Sequence, residues 1–253
     1  MSLSDCFDEL ESSEDVSRPT QKSKTPSITG NTTEMRRVLL DRTQYADTID
    51  NESPEERQAL FDELQREYNE MLCKEKPAVI FAQNERDVKE GTTLEHFLVK
   101  HGPFPVEEHI AVKIIRSVSD TIMFLHSKDV VHGCLDFSSV VLDRHLNAKT
   151  IISASIHRTK SSRAACRGKV DDVFHVGLLL YRLLTGLKAK FNGNGDLVSA
   201  PSKYMRISEK GMKLVEYMFA TNLRFPPTIG RVRYNDWIEE CDENPPVFIM
   251  FPH

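Results

Sequence analysis

The segment Asp172–Thr185 places Val173, Phe174, Val176, Leu178, Leu179, Leu180, Leu183 and Leu184 within little more than three helical turns and closes with Gly186. A helix that is apolar on every side has no face to offer to water, so this one must be the buried centre around which other elements pack. A chain of 253 residues is long enough to surround it. The segment is too short to cross a membrane. No stretch of ~18 apolar residues occurs elsewhere, so a membrane-spanning helix is not expected.

Several elements with the right patterning are available to pack around that centre. Ser53-Pro54-Glu55-Glu56 has Ser at an N-cap, Pro at the first helical position and Glu three residues on, which predicts a helix running to about Cys73. Its face is Leu60, Leu64, Tyr68 and Met71. Ile110, Ile114, Val118 and Ile122 recur every four residues, widened by Ile115 and Leu125, and predict a long helix ending near His126. Glu107 and Glu108 suit its positive end. Thr93–Lys100, Glu209–Ala220 and Thr228–Glu239 read as further helices. Ala78–Ala82, Val130–His132, Val140–Leu142 and Lys149–Ile152 read as short strands, and Met35–Thr48 is a weaker strand candidate. Residues 158–169 are basic and read as irregular, and residues 188–206 as a long loop.

Charge and cysteine usage narrow the classes further. Residues 1–34 carry seven acids against three bases and twelve Ser/Thr, which predicts a disordered acidic tail. Ser12, Ser13 and Thr25 are its candidate phosphosites. The rest of the chain is near neutrality, which does not suggest a nucleic-acid binder. Met1–Asp15 is polar and acidic, unlike a secretion signal. The five cysteines are widely spaced, with no C-x-x-C pair, so neither a disulfide framework nor a zinc ribbon is favoured. A cytoplasmic or nuclear location is expected. His132, Cys134, His157, Cys166 and His175 have no recognisable zinc spacing.

The order of short motifs over residues 78–240 resembles the helical lobe of a eukaryotic protein kinase. Phe124-Leu125-His126 is followed by Val131-His132-Gly133-Cys134-Leu135 and by Val140-Val141-Leu142-Asp143. Then come Asp172-Val173-Phe174-His175-Val176-Gly177 and Tyr181-Arg182-Leu183-Leu184-Thr185-Gly186. The family pattern is Y-L-H, H-R-D-L-x-x-x-N-[IV]-L-L, D-F-G and D-x-W-S-x-G-x-x-L-Y-E-L-L-T-G. Gly91-Thr92-Thr93-Leu94 resembles the segment after the family's hinge. Pro227-Thr228-Ile229 and Asp236-Trp237-Ile238 resemble its R-P-T and H-P-W. The resemblance implies an α+β kinase-like fold with a mainly helical C-lobe, residues 86–240. A reduced N-lobe of one to three strands and one helix would occupy residues 35–85, and an apolar tail residues 241–253. It implies a structural frame of His132, Val141, Asp172, Leu179, Leu183 and Trp237. Asp172 would hydrogen-bond the backbone of the old catalytic loop, and Val141, Leu179 and Leu183 would form the apolar column beneath an adenine.

The chemistry of that family is the positioning of a triphosphate around Mg²⁺, and the resemblance fails there. The catalytic Asp is replaced by Cys134, its preceding Arg by Gly133, the loop Lys by Asp136 and the metal-binding Asn by Ser139. The D-F-G triplet falls on Ile152-Ser153-Ala154, and an alkyl side chain offers no oxygen to a hard cation. Only Gly30 precedes residue 91 among the glycines, so no phosphate-cradling loop exists in front. Residues 25–73 contain no lysine, so Glu63 and Glu67, the candidates for the family's helix Glu, lack its usual partner.

The resulting expectation is a pseudokinase. It would be a scaffold or allosteric partner for a kinase or signalling complex, with a protein partner, no nucleic acid, no membrane and no metal. The alternatives are a switch that binds ATP without Mg²⁺ and an active kinase whose catalytic groups have moved, with Asp136 and Asp143 as the nearby acids. Arg158, Lys160, Arg163, Arg167 and Lys169 form a basic stretch that is either solvated or a site for an acidic partner, the tail at residues 5–15 included. Cys134 is either a structural cysteine or, with His132 two residues away, a nucleophile.

Overall fold

A computed structural model describes residues 53–71, 76–82, 91–153, 156–158, 162–193, 195–198, 207–220 and 225–243. The chain is α+β. Its elements run α1 (Pro54–Glu70), β1 (Val79–Phe81), β2 (Thr92–Thr93), α2 (Leu94–His101), α3 (Glu108–Ser127), β3 (Val130–Val131), β4 (Val140–Leu142), β5 (Ala148–Ile152), β6 (His157–Arg158), α4 (Ser162–Thr185), α5 (Glu209–Phe219), α6 (Ile229–Arg233) and α7 (Asp236–Glu243). The strand candidate at 35–48, the acidic tail with Ser12, Ser13 and Thr25, and residues 244–253 lie outside the described residues.

The all-apolar helix sits where its composition demands. Val173, Val176, Leu180, Tyr181 and Leu183 are fully buried, and α3 and α5 pack against α4. Each such aliphatic side chain removed from water contributes about 1.5–3 kcal/mol. Gly186 ends the helix at φ +69°, a left-handed conformation that glycine adopts without strain, and its N–H donates to the Arg182 carbonyl at 2.9 Å. In α3, Ile114, Ile115, Val118, Ile122 and Leu125 form the buried stripe, while Ile110 is half-buried.

Helix α1 begins as its sequence prescribes. The Glu56 N–H donates to Ser53 Oγ at 3.1 Å, and the Ser53 N–H donates to Glu56 Oε2 at 2.8 Å, closing the capping box. Leu60, Phe61 and Leu64 then enter the same apolar cluster as α3 and α4. Tyr68 hydrogen-bonds the Pro77 carbonyl at 2.9 Å and packs near Phe81 and Phe124.

Two small sheets complete the fold. The larger has the order β1-β5-β4-β2, with β1 parallel to β5 and the other pairs antiparallel. The smaller is the antiparallel pair β3–β6, which sets Val131 opposite His157. Residues 148–152 thus form a hairpin with β4, whereas β3 is not part of it. β1 pairs directly with that hairpin, and α1 shares the main apolar cluster.

Two local expectations are corrected. The stretch 158–169 is not an irregular loop: Arg158 ends β6, and Ser162–Lys169 form the opening turns of α4, which starts ten residues earlier than its apolar part. Ala164, Ala165 and two arginines are good helix formers, so charge was a poor guide there. The single helix expected at 228–239 is two, because the Asn235 side chain accepts the Trp237 N–H at 3.0 Å and caps a new helix. Cys241–Glu243 belong to that helix rather than to a tail.

Candidate functional site

The polar centre of the molecule is built on Asp172, which is 1% exposed. It projects from α4 towards the chain leaving β3. Its Oδ2 accepts the His132 N–H at 2.9 Å and lies 2.8 Å from His126 Nε2, and its Oδ1 accepts the Gly133 N–H at 3.1 Å. Gly133 has φ +75°, a left-handed conformation that would strain any other residue. One carboxylate thereby fixes α3, α4 and the loop after β3 with respect to one another. Burial, the largest influence, pushes the Asp172 pKa up. The hydrogen bond and charge of His126, and then His132, outweigh it and hold the group below the ordinary carboxylate value.

His132 is fully buried, and its Nε2 lies 2.9 Å from the Ile151 carbonyl of β5. A carbonyl can only accept, so Nε2 carries the ring proton. Nδ1 is buried and without a hydrogen-bond partner. Cys134, two residues on, is half-buried. Burial, the largest influence, opposes protonation of His132. Cys134, the Asp172 charge and the Ile151 carbonyl together outweigh it, and the pKa stands above the ordinary histidine value.

The two nearby acids are engaged in turns. Asp136 Oδ1 accepts the Ser138 N–H, the Ser138 hydroxyl and the Ser139 N–H at 2.9, 2.7 and 2.9 Å, and the Ser139 hydroxyl donates to the Asp136 carbonyl at 2.8 Å. Asp143 accepts the Asn147 side-chain amide at 2.7 Å and the backbone N–H groups of His145 and Asn147 at 2.7 and 2.9 Å. These bonds, those of Asn147 first, hold its pKa at about 2. Both carboxylates therefore order loops.

Ile152 is fully buried at the end of β5, followed by the half-buried Ser153; Ala154 lies outside the described residues. Leu179 and Leu183 belong to the central cluster, but Val141 does not join them. It packs with Ala82 and Ile151 in a small separate cluster, because alternation along β4 points Val140 and Leu142 into the main core and Val141 away from it. Trp237 is 3% exposed, and its indole N–H donates to Glu108 Oε2 at 3.0 Å. Glu108 Oε1 also accepts the Ser208 N–H at 2.5 Å, so one carboxylate at the start of α3 ties down α5 and α7.

The basic stretch is partly committed. Arg158 pairs with Glu63 of α1 at 3.3 Å, and Lys169 with Asp129 at 2.8 Å. Arg167 is half-buried, Arg163 lies in the first turn of α4, and Lys160 lies outside the described residues. Glu63 and Glu67, which lack the family's strand lysine, each meet another cation, Glu67 pairing with Lys128 at 2.7 Å. Sequence reasoning missed His126 as the second basic group on Asp172, although His126 closes the Phe124-Leu125-His126 motif. It also missed Arg233, which joins Asp120 of α3 at 2.6 Å and Glu239 of α7 at 2.9 Å. Among the described residues, no three His, Cys, Asp or Glu side chains gather as a metal site requires.

No protein-family model matches the chain, and no curated protein matches its sequence.

Proposed function

We propose that the protein is a catalytically inactive relative of the protein kinases, a pseudokinase that works by binding another protein, in particular a kinase or signalling complex. The observation that carries this reading is the contrast between frame and site. Asp172 holds the backbone of His132 and Gly133, as the kinase resemblance implies for its buried aspartate. The position implied for the principal metal-binding carboxylate is Ile152, whose side chain is sealed in the core.

The residues present do not fit Mg²⁺-bound triphosphate. Ile152 has no oxygen ligand, Asp136 turns Oδ1 to three donors of its own loop, and Asp143 turns both oxygens to donors of its turn. The small apolar cluster of Ala82, Val141 and Ile151 favours one second reading, a switch that takes an adenine nucleotide without metal. Thermal melting of the full chain with ATP, with and without Mg²⁺, separates the readings. The pseudokinase scaffold predicts no shift in either condition. A shift independent of Mg²⁺ selects the switch. A shift that requires Mg²⁺ contradicts both.

A further inference from the structure

We propose that the cavity between α5, α6 and the start of α7 is a docking site for a proline-rich segment of a partner protein, bound in the extended polyproline conformation. The inference does not depend on kinase ancestry. Loss of the kinase reading in the ATP experiment leaves it standing, and its own test leaves that reading untouched.

The cavity measures about 400 Å³, a size ordinary for ligand sites, and is lined by Tyr217, Gly230, Arg231, Tyr234, Asn235 and Asp236. Its lining is fixed from behind. The Tyr217 hydroxyl accepts the Thr228 N–H at 3.0 Å, and the Asn235 side-chain oxygen accepts the Trp237 N–H at 3.0 Å. The Arg233 guanidinium stands over the Tyr234 ring, 5.1 Å from its centre, and is itself anchored on Asp120 and Glu239. These contacts hold both tyrosines and the asparagine before a ligand arrives, which lowers the entropy lost on binding.

Gly230 keeps the space open. It lies inside α6, where glycine is a poor helix former, and a side chain added there would have no atom within 4 Å of its Cβ. Neither a left-handed turn nor a close packing contact calls for glycine at this position.

The chemistry of the lining selects the occupant. With its oxygen engaged, the Asn235 amide has two N–H donors to offer, and the Tyr217 hydroxyl, already accepting, still has its proton to donate. Arg231 offers donors only, and Tyr234, which is 63% exposed, adds a ring and a hydroxyl. The lining is rich in donors, while the charges of Arg231 and Asp236 offset each other. It matches a ligand that is uncharged, apolar in its side chains and supplied with acceptors. A proline-rich segment has those properties: its rings pack on aromatic side chains, each proline has a carbonyl oxygen but no N–H, and the backbone is extended before it binds. Asp236 remains to accept the N–H of a residue between prolines.

The test is fluorescence polarisation of labelled decaproline titrated with the full chain, with a labelled Gly-Ser decapeptide as control. Decaproline should bind with a midpoint below about 1 mM, and the control should not bind. Gly230→Leu fills the cavity and Tyr234→Ala removes an exposed ring; each should weaken binding about tenfold. Gly230→Leu should leave thermal melting unchanged or raised. If it does not fold, Tyr234→Ala, at an exposed position, decides. The chain carries a Pro245-Pro246 pair of its own. With a partner's segment as occupant, replacing both (Pro245→Ser, Pro246→Ser) in the full chain leaves the decaproline affinity unchanged. A gain of about tenfold would put the chain's own prolines in the cavity and overturn the proposal. Absence of decaproline binding, or folded Gly230→Leu and Tyr234→Ala variants that bind as the wild type does, would overturn it equally.

Discussion

Asp172 and Glu63 are both carboxylates that meet basic groups on distant elements, yet they do different work. Asp172 is 1% exposed, and its oxygens take His126 and two backbone N–H groups. Glu63 is 39% exposed, and its partner Arg158 is 47% exposed. Inside the protein, an ion that loses its partners leaves groups that water cannot reach. At the surface, water replaces either partner at little cost. The buried cluster defines how α3, α4 and the loop after β3 fit together. The surface pair ties α1 to β6 and can be broken without disturbing that fit.

Removal of the buried carboxylate tests this difference most severely. Asp172→Ala should destabilise the protein by about 3–5 kcal/mol in urea unfolding, because three donors lose their acceptor. The pH dependence sharpens the same point. Asp172 has a folded pKa below its unfolded value, so its contribution is present above about pH 4 and is lost as pH falls through the folded pKa. His132 has a raised folded pKa, so its contribution is complete below about pH 6.5 and is lost as pH rises through that pKa. Stability should therefore be greatest between about pH 4 and 6.5. An unfolding series across pH should show both limbs, and Asp172→Ala should flatten the acid one.

Trp237 and Glu108 form an intermediate case, a half-buried carboxylate on an indole N–H. Trp237→Phe keeps most of the ring and removes the donor, and about 1.5–3 kcal/mol should be lost in the same assay. Arg158→Ala should cost less than about 1 kcal/mol, and less again at high salt. A loss from Arg158→Ala as large as that from Asp172→Ala would erase the distinction between the two regions.

Local chemistry made part of this legible in the sequence. Ser53, Pro54 and Glu56 lie within one turn and specify the start of α1 by themselves, and the composition of residues 172–185 leaves no option but burial. What was not legible depends on residues far apart in the chain. His126 meets Asp172 across 46 residues, and Arg158 meets Glu63 across 95. Nothing local in either segment announces its partner. The start of α4 was misjudged because its charges were weighed above the helix propensity of its alanines and arginines. The break at Asn235 was missed because a polar residue inside an apparent helix is also a cap. The clamp of Asp172 on the loop was accessible only through the kinase resemblance, since no spacing rule links a helix residue to backbone N–H groups 39 and 40 positions earlier.

The central claim is that the groups around Asp172 are kept for structure and not for phosphate chemistry. Incubation of the full chain with γ-labelled ATP, Mg²⁺ and a generic protein substrate tests it most directly. The account predicts no label on the substrate or on the chain itself above a no-protein control. Mg²⁺-dependent transfer that is abolished by Asp136→Asn or Asp143→Asn would contradict it.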